Sequence, residues 1–358
     1  MTKRNSIHRL ACVCLAATVI LAATVASAAD LIKPRIAVNL PEKHNTPDGM
    51  TLDPAGNIIL ACPNFGDNSH PAMLMKISRK GELSEFFKMP LHPETKMACP
   101  LGIGFGSDGN LYVADCQAIA GEKDYKSRLL RVRIEDGKAV GCDVVVTGFI
   151  MSNAVAAKGD SIYVTETEID GSVTPMSSGV YRFKLSELTG EPIKLLPGGK
   201  DKHLIATLYT KNEEFKVGAN GLGFDAAGNM FVCNFGDAAI NKITFKPSGE
   251  VDTNKVFAQG QGMRCCDGLK IDQKTGDIYV ADFLGNAVHR IDAAGKVTTL
   301  AKNGDTDGSG GLLDKPSEVC LRGAKLYIAN IDLPLDGNTY DAPHTISVIV
   351  VKKIKQKK

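Results

Sequence analysis

The sequence DGLKIDQKTGDIYVAD, at residues 267–282, contains two short apolar stretches with a turn between them. Apolar and polar residues alternate in the first stretch, and the second combines isoleucine, tyrosine and valine, which favour β-strands. The turn contains glycine and aspartate, which suit a tight connection. The segment therefore predicts a β-hairpin that ends in an acidic residue.

Related segments occur five more times along the 358 residues. Most are followed by two further strand-like stretches, and no long stretch has helical periodicity. Repeats of four strands are typical of a propeller. We therefore expect an all-β fold, a six-bladed β-propeller with four antiparallel strands per blade. The five other segments are DGMTLDPAGNIILAC at 48–62, LGIGFGSDGNLYVAD at 101–115, NAVAAKGDSIYVTE at 153–166, NGLGFDAAGNMFVCN at 220–234 and EVCLRGAKLYIAN at 318–330.

The last repeat lacks a fourth strand before the chain ends, while the strand-like residues 35–40, RIAVNL, precede the first repeat without a partner. We expect residues 35–40 to supply the missing outer strand of blade six. Closure of this kind protects sheet edges that would otherwise pair with other chains.

The two ends of the chain are expected to lie outside the propeller. Residues 1–29 combine a basic start, an apolar run and the small residues Ala26-Ser27-Ala28, which is typical of a cleaved signal peptide. An uncleaved membrane anchor is the alternative. We expect an exported protein, periplasmic or secreted, with one propeller domain at residues 30–351 and a basic tail at 352–358.

The charge balance and the hydropathy pattern argue against nucleic acid and a membrane span, respectively. The chain has 42 Lys and Arg against 40 Asp and Glu, and three of the basic residues lie in the leader. Such a near-neutral protein is not expected to bind nucleic acid. No later stretch is apolar for the ~20 residues that a spanning helix needs, so no stable membrane span is expected.

Eight of the ten cysteines follow the leader, and an even number in an exported protein suggests disulfides. The sequence does not specify their pairing. Cys265-Cys266 directly precedes Asp267, so a vicinal disulfide there is one alternative to separate disulfides that tether loops.

One position in each repeat is predicted to face the propeller axis. The first strand of a blade lines the central channel, so equivalent residues at its start form a ring. We call this set the axial ring, and five of its six members carry a side-chain oxygen: Asp48, Leu101, Asn153, Asn220, Asp267 and Glu318.

Several inward carboxylates around one axis would repel one another unless something neutralises them. Calcium prefers six to eight oxygen ligands, including carboxylates, amide carbonyls and water. No His or Cys occupies the ring, which argues against zinc or copper. A bound calcium or similar divalent cation is therefore expected, with a hydrated polar channel as the alternative.

A second set of polar residues ends the second strand of each blade from two to six. These strands run back toward the ring, so their ends are expected to form the wall of a pocket; capping of turns is the competing role. We call these residues the pocket-wall set: Asp115, Glu166, Asn234, Asp282 and Asn330.

The elements Asp48-Gly49-Met50, Asn220-Gly221-Leu222 and Asp267-Gly268-Leu269 resemble those of the gluconolactonase, senescence-marker and luciferin-regenerating-enzyme family. The resemblance extends over residues 35–350. It implies a six-bladed propeller with a divalent metal at the axis, and many members of this family hydrolyse lactones.

Carried over by position, the resemblance implies that the metal ligands are Asp48, Asn153, Asn220 and Asp267. The family usually has glutamate in blade one. Asp48 is one methylene shorter, and Glu318 of blade six can supply the missing reach.

The functional prediction is a calcium-dependent hydrolase that opens a lactone or related ester, with Asp267 as both ligand and general base. The alternative is a non-catalytic propeller that binds a ligand or a protein at the same place. Residues 277–282, DIYVAD, resemble the NHL-type repeat, and many NHL propellers only bind. The expected partner of the hydrolase is a small molecule.

Overall fold

The computed structural model describes residues 31–121 and 124–351. Its strands form the six sheets of the predicted propeller, each with four antiparallel strands. Within these residues, helix is limited to three 3-10 turns at Gln117–Ala120, Leu185–Glu187 and Ser309–Gly311. The all-β, six-bladed prediction is therefore confirmed. The predicted signal peptide at residues 1–29 and basic tail at 352–358 lie outside the described residues.

The strands of the first three blades follow the predicted repeats. In blade one they are β2 (Met50–Leu52), β3 (Ile58–Cys62), β4 (Met73–Ile77) and β5 (Leu83–Lys88). In blade two they are β6 (Pro100–Phe105), β7 (Leu111–Asp115), β8 (Ser127–Glu135) and β9 (Lys138–Phe149). In blade three they are β10 (Ser152–Lys158), β11 (Ser161–Asp170), β12 (Met176–Lys184) and β14 (Leu204–Thr210).

The last three blades complete the ring. Blade four contains β15 (Ala219–Phe224), β16 (Met230–Asn234), β17 (Ala239–Phe245) and β18 (Val251–Gln259). Blade five contains β19 (Leu269–Ile271), β20 (Ile278–Asp282), β21 (Ala287–Ile291) and β22 (Val297–Lys302). Blade six contains β23 (Pro316–Arg322), β24 (Lys325–Asn330), β25 (Thr345–Val350) and, as its outer strand, β1 (Arg35–Asn39).

Strand β1 closes the propeller as predicted. It pairs antiparallel with β25, with Arg35 opposite Val348 and Asn39 opposite Thr345. Val38 of β1 and Leu40 just after it are buried against residues of blades one and six. The N-terminal segment therefore joins the first and last blades both by backbone hydrogen bonds and by apolar packing.

One short strand was not predicted. The segment between β12 and β14 sends β13 (Ile193–Lys194) to the outer edge of blade two, where it pairs parallel with Val146 and Thr147 of β9. The N–H of Leu195 extends this pairing by donating to the Thr147 carbonyl at 2.9 Å. The excursion covers part of an edge that would otherwise be exposed.

The core of the propeller lies between the blades. Six buried apolar clusters each combine residues from two adjacent blades. One position of the repeat, three residues before its last residue, is large and buried in one of these interfaces in every blade: Ile59, Tyr112, Tyr163, Phe231, Tyr279 and Tyr327. This repeated position explains how a chain without tryptophan packs six interfaces in the same way.

Within the described residues, no helix has the length and apolar character required to cross a membrane.

Candidate functional site

The axial ring is assembled by contacts among the six first strands. Each first strand contacts the first strands of both neighbouring blades. The ring residues lie within these strands or at most two residues before them, so they face one another around the axis. Asn220 and Leu101 are buried, whereas Asp48, Asn153, Asp267 and Glu318 are partly exposed. The structure thus brings together all the residues that the sequence assigned to this ring.

Glycine follows four ring residues because the next blade's backbone passes very close. A Cβ added to Gly221 would lie 2.6 Å from the carbonyl oxygen of Asp267, and one on Gly102 would lie 2.5 Å from the carbonyl oxygen of Asn153. A Cβ on Gly49 would similarly overlap the carbonyl oxygen of Leu101. One on Gly268 would overlap the Glu318 carboxylate and the Ser317 carbonyl oxygen. None of these four glycines has a positive φ. Close packing of adjacent blades, and not turn chemistry, accounts for them.

Three carboxyl groups of the ring influence one another. Burial raises the pKa of Asp267, and the negative charges of Asp48 and Glu318 raise it further, while a hydrogen bond from Asn220 acts in the opposite direction. Burial also raises the pKa of Asp48 to about 6 and that of Glu318 to about 8. The ring is therefore a site where negative charge is costly without a cation nearby.

The donor set of the ring fits a hard divalent cation. Among the described residues, no Lys or Arg forms an ion pair with Asp48, Asp267 or Glu318. The ring side chains offer only carboxylate and amide oxygens, the ligands that calcium prefers. Among the described residues, the three ring carboxylates do not all come within 4.8 Å of one another, so at least one of them would bind a cation through water.

Two neighbours of the ring were missed by sequence analysis. The hydroxyl of Ser317 donates to the Pro47 carbonyl at 3.2 Å and hydrogen-bonds the Asp48 carboxylate, which holds blade one against blade six. The positive charge of Lys270 partly offsets the burial of Glu318. Ser317 is adjacent to Glu318 in sequence, but nothing in the repeat pattern distinguishes it.

The carboxylates of the pocket-wall set hold the loops that lead into the ring. Asp115 accepts the Cys99 N–H at 2.7 Å, Glu166 accepts the Met151 N–H at 2.5 Å and Asp282 accepts the Cys265 N–H at 3.0 Å. Each donor lies two residues before a ring residue. These buried carboxylates thus set the position of Leu101, Asn153 and Asp267.

Further contacts saturate the same residues. Asp115 forms a buried ion pair with Arg128 at 2.6 Å, and Asp282 is 3.0 Å from His289. Asn234 accepts from Thr210 at 2.8 Å, and Asn330 accepts the Asp314 N–H at 3.1 Å. The structure therefore gives the set a bracing role, and its assignment as a pocket wall stays a prediction.

A cavity of about 510 Å³ follows the axis on the side of the ring where the first strands end. Its walls come mainly from the first strands and combine apolar residues with the polar side chains of Thr51 and Gln273. The charged lining residues are Lys158, Asp225, Lys270 and Glu318, and Glu318 is the one that also belongs to the ring. Glu318 therefore connects the ring to the central channel.

All eight cysteines of the described chain are free thiols: Cys62, Cys99, Cys116, Cys142, Cys233, Cys265, Cys266 and Cys320. Cys265 and Cys266 are buried and make separate hydrogen bonds, Cys265 to Asp282 at 3.3 Å and Cys266 to the Ala239 carbonyl at 3.0 Å. The predicted disulfides gain no support from these positions.

Replacing Gly268 with alanine is expected to lower the melting temperature. The new Cβ would overlap the carboxylate of Glu318 and the Ser317 carbonyl, and overpacking of this kind costs about 1–3 kcal/mol. Thermal unfolding measures the effect. Gly190→Ala is the matched control, since no atom lies within 4 Å of the position of its Cβ. Equal behaviour of the two variants would contradict the proposed packing.

Part of the chain matches a known protein family. Residues 199–307 match the family model described as SMP-30/Gluconolactonase/LRE-like region. The resemblance predicted from the sequence is confirmed. The matched SMP-30/gluconolactonase/LRE-like region runs from the end of blade three through blade five and includes Asn220 and Asp267 of the axial ring.

Solved structures of several proteins share the fold at low identity. A gluconolactonase from Xanthomonas campestris is 14% identical, with a TM-score of 0.55 over 90% of this chain and 96% of its own. A luciferin-regenerating enzyme is 13% identical, with a TM-score of 0.55 over 88% and 94% of the two chains. The PQQ-bound aldose sugar dehydrogenase of Streptomyces coelicolor is 16% identical, with a TM-score of 0.60 over 89% and 97%. The comparison with curated proteins gave no match.

These neighbours include a hydrolase and an oxidoreductase, so the shared fold does not specify the reaction. The reaction must therefore be inferred from the ring residues and from the SMP-30/gluconolactonase/LRE-like match.

Proposed function

We propose that this protein is a divalent-cation-dependent hydrolase that opens a lactone or a related ester, with calcium as the cation. The observation that carries the proposal is the axial ring, where Asp48, Asp267 and Glu318 face one another without an ion pair to Lys or Arg among the described residues. The match to the SMP-30/gluconolactonase/LRE-like model over residues that include Asn220 and Asp267 supports the same class of chemistry.

The proposed ligands are the five oxygen-bearing members of the ring. When bound, a divalent cation supplies a Lewis acid that polarises a carbonyl and lowers the pKa of a coordinated water. Asp48, Asn153 and Asn220 are expected to hold the cation from three blades. Glu318 would add a ligand from a fourth blade, blade six. This ligand compensates for the side chain of Asp48, which is one methylene shorter than glutamate.

Asp267 is proposed to act as the general base. Its carboxylate takes a proton from the water that attacks the lactone carbonyl. The acyl C–O bond of the lactone then breaks, and the leaving alkoxide takes the proton back from Asp267 to give the hydroxy acid. The Asn220 amide lowers the pKa of Asp267 and is proposed to orient its carboxylate. The Asp282–Cys265 hydrogen bond fixes the backbone two residues before it. The chain thus positions one basic oxygen next to the proposed cation.

A small, uncharged cyclic ester is the proposed substrate class. The neighbouring gluconolactonase of Xanthomonas campestris is described by its own name as acting on a sugar lactone. We propose the same class of substrate for the present chain.

The decisive experiment is a panel of five- and six-membered lactones and aryl esters, assayed with the purified protein before and after chelation. We expect at least one lactone to be hydrolysed, the activity to disappear with the chelator and calcium to restore it. Chelation should also lower the melting temperature, because a ligand bound only to the native state stabilises it. Calcium-loaded protein that hydrolyses none of the panel would favour a binding propeller instead.

A further inference from the structure

Three aspartates of blade six, two of them buried and one partly exposed, converge outside the axial ring. Asp314 precedes β23, Asp332 follows β24 and Asp341 lies in the loop before β25. One carboxylate oxygen from each lies within 4.8 Å of the others. Within the described chain, no other group of three acidic, His or Cys side chains meets this spacing. We call Asp314, Asp332 and Asp341 the blade-six cluster.

Unpartnered oxygens point to a missing ligand at this cluster. Asp314 is only 2% exposed, yet its Oδ1 has no hydrogen-bond donor. Asn338, which is 8% exposed, donates its Nδ2 to Asp332 at 2.8 Å and leaves its own Oδ1 without a donor. The Oδ1 of Asp341 is unpartnered as well. Buried polar atoms are rarely left in this state, because the lost hydration is costly.

The uncompensated negative charges around the cluster also favour a bound cation. Among the described residues, no Lys or Arg forms an ion pair with the blade-six cluster. Lys315, adjacent to Asp314, instead lies 3.6 Å from Asp336 and 5.2 Å from the centre of the Phe283 ring. Burial, with the negative charges of Asp332, Asp341, Asp305 and Asp307, raises the pKa of Asp314 to about 8. Each carboxylate therefore makes its neighbours harder to ionise.

We propose that the blade-six cluster, together with the side-chain oxygen of Asn338, is a second binding site for a divalent cation, and that the cation is calcium. The donors are all oxygens and come from two loops, the one before β23 and the one between β24 and β25. Water or backbone carbonyls would complete six to eight ligands. A cation would satisfy the orphaned oxygens of Asp314, Asn338 and Asp341 at once. This site is independent of the hydrolase proposed for the axial ring.

The position of the site suggests a structural role in closure of the propeller. The loop that carries Asp314 also contains Gly311, whose backbone packs directly against Arg35 and Ile36 of β1. Ser347 of β25 donates to the Gly311 carbonyl at 2.9 Å. A cation that joins this loop to Asp332 and Asp341 would fix both the loop and the adjoining end of β25 behind the closing strand. Calcium at the cluster is therefore expected to stabilise blade six.

Calcium stoichiometry distinguishes the two sites. Chelator-stripped full-length mature protein is reloaded with calcium, desalted and analysed for bound calcium per chain. The test variants are Asp314→Asn and Asp332→Asn, and the matched control is Asp336→Asn, an acidic residue in the same loop that pairs with Arg264 and Lys315 instead. Asp48→Asn reports the axial site in the same assay.

We expect each test variant to bind one calcium fewer than the wild type, and Asp336→Asn to bind the wild-type number. The proposal also holds if Asp48→Asn changes nothing, since the axial site would then be the one that fails. Folded Asp314→Asn and Asp332→Asn proteins that retain the wild-type calcium number would overturn it, because the cluster would then hold protons instead of a cation.

Terbium luminescence provides a second readout that does not depend on the variants of the cluster being stable. The chain has no tryptophan that could compete as a sensitiser. Tyr340 is adjacent to Asp341 in sequence, and the charge of Asp332 raises its pKa. Tyrosine excitation should sensitise terbium at the cluster, calcium should displace the signal, and Tyr340→Phe should remove most of it without reducing the calcium number. A signal that is unaffected by Tyr340→Phe would place the bound ion elsewhere and contradict the proposal.

Discussion

Asp267→Asn is expected to reduce the turnover of an active lactone by about 10² or more, the usual scale for loss of a general base. The asparagine keeps an oxygen that can coordinate a cation but has no basic carboxylate. The effect should therefore persist at saturating calcium, where loss of cation affinity is compensated. Steady-state kinetics over a range of calcium concentrations separate the two contributions.

Two further variants serve as controls for this result. Asp48→Asn should weaken calcium binding, and excess calcium should restore its turnover. Leu101→Asn should not abolish activity, because Leu101 contributes no oxygen to the ring. If Asp267→Asn retains full turnover at saturating calcium, then Asp267 is only a ligand. Glu318 becomes the next candidate base, since Asp115 and Asp282 are already engaged by Arg128 and His289.

Deletion of residues 35–40 is expected to cause aggregation or a large fall in melting temperature. The deletion would expose the edge of β25 and remove the buried side chains of Val38 and Leu40. Each such side chain contributes about 1.5–3 kcal/mol, a large share of the ~5–15 kcal/mol that stabilises a typical domain. Thermal unfolding and size-exclusion chromatography with light scattering measure the outcome.

A matched pair of substitutions tests the same strand more gently. Val38 is buried and Ile36 is exposed in β1. Val38→Asp should therefore reproduce much of the effect of the deletion, whereas Ile36→Asp should change the melting temperature little. A deletion variant that remains monomeric and as stable as the mature protein would show that β1 is not needed for closure.

Much of the fold could be predicted because the propeller repeats one local pattern six times. The hairpin at residues 267–282 corresponds to β19 and β20, and its relatives mark the inner strands of every blade. The closing role of residues 35–40 followed from counting strands. Strand β13 could not be predicted in this way, since two residues carry no periodic signal and its partner β9 lies in another blade.

The same distinction, between features that follow the repeat and features that do not, applies to the candidate site. The axial ring could be predicted because its members occupy one position of the repeat. The bracing role of Asp115, Glu166 and Asp282 could not, because a carboxylate at the end of a strand is equally compatible with a pocket wall, and only the structure shows the N–H groups that it accepts. The blade-six cluster combines residues of two loops, and none of the three aspartates occupies a position of the repeat, so no repeat pattern identifies it.

The glycines that follow four ring residues also tie each blade to its successor. A Cβ at Gly49, Gly102, Gly221 or Gly268 would lie less than 3 Å from an atom of the next blade. A side chain could enter at one of these positions only if the following blade changed shape as well. Neighbouring repeats of this chain can therefore diverge only as matched pairs at the axis, although each repeat folds from its own local pattern.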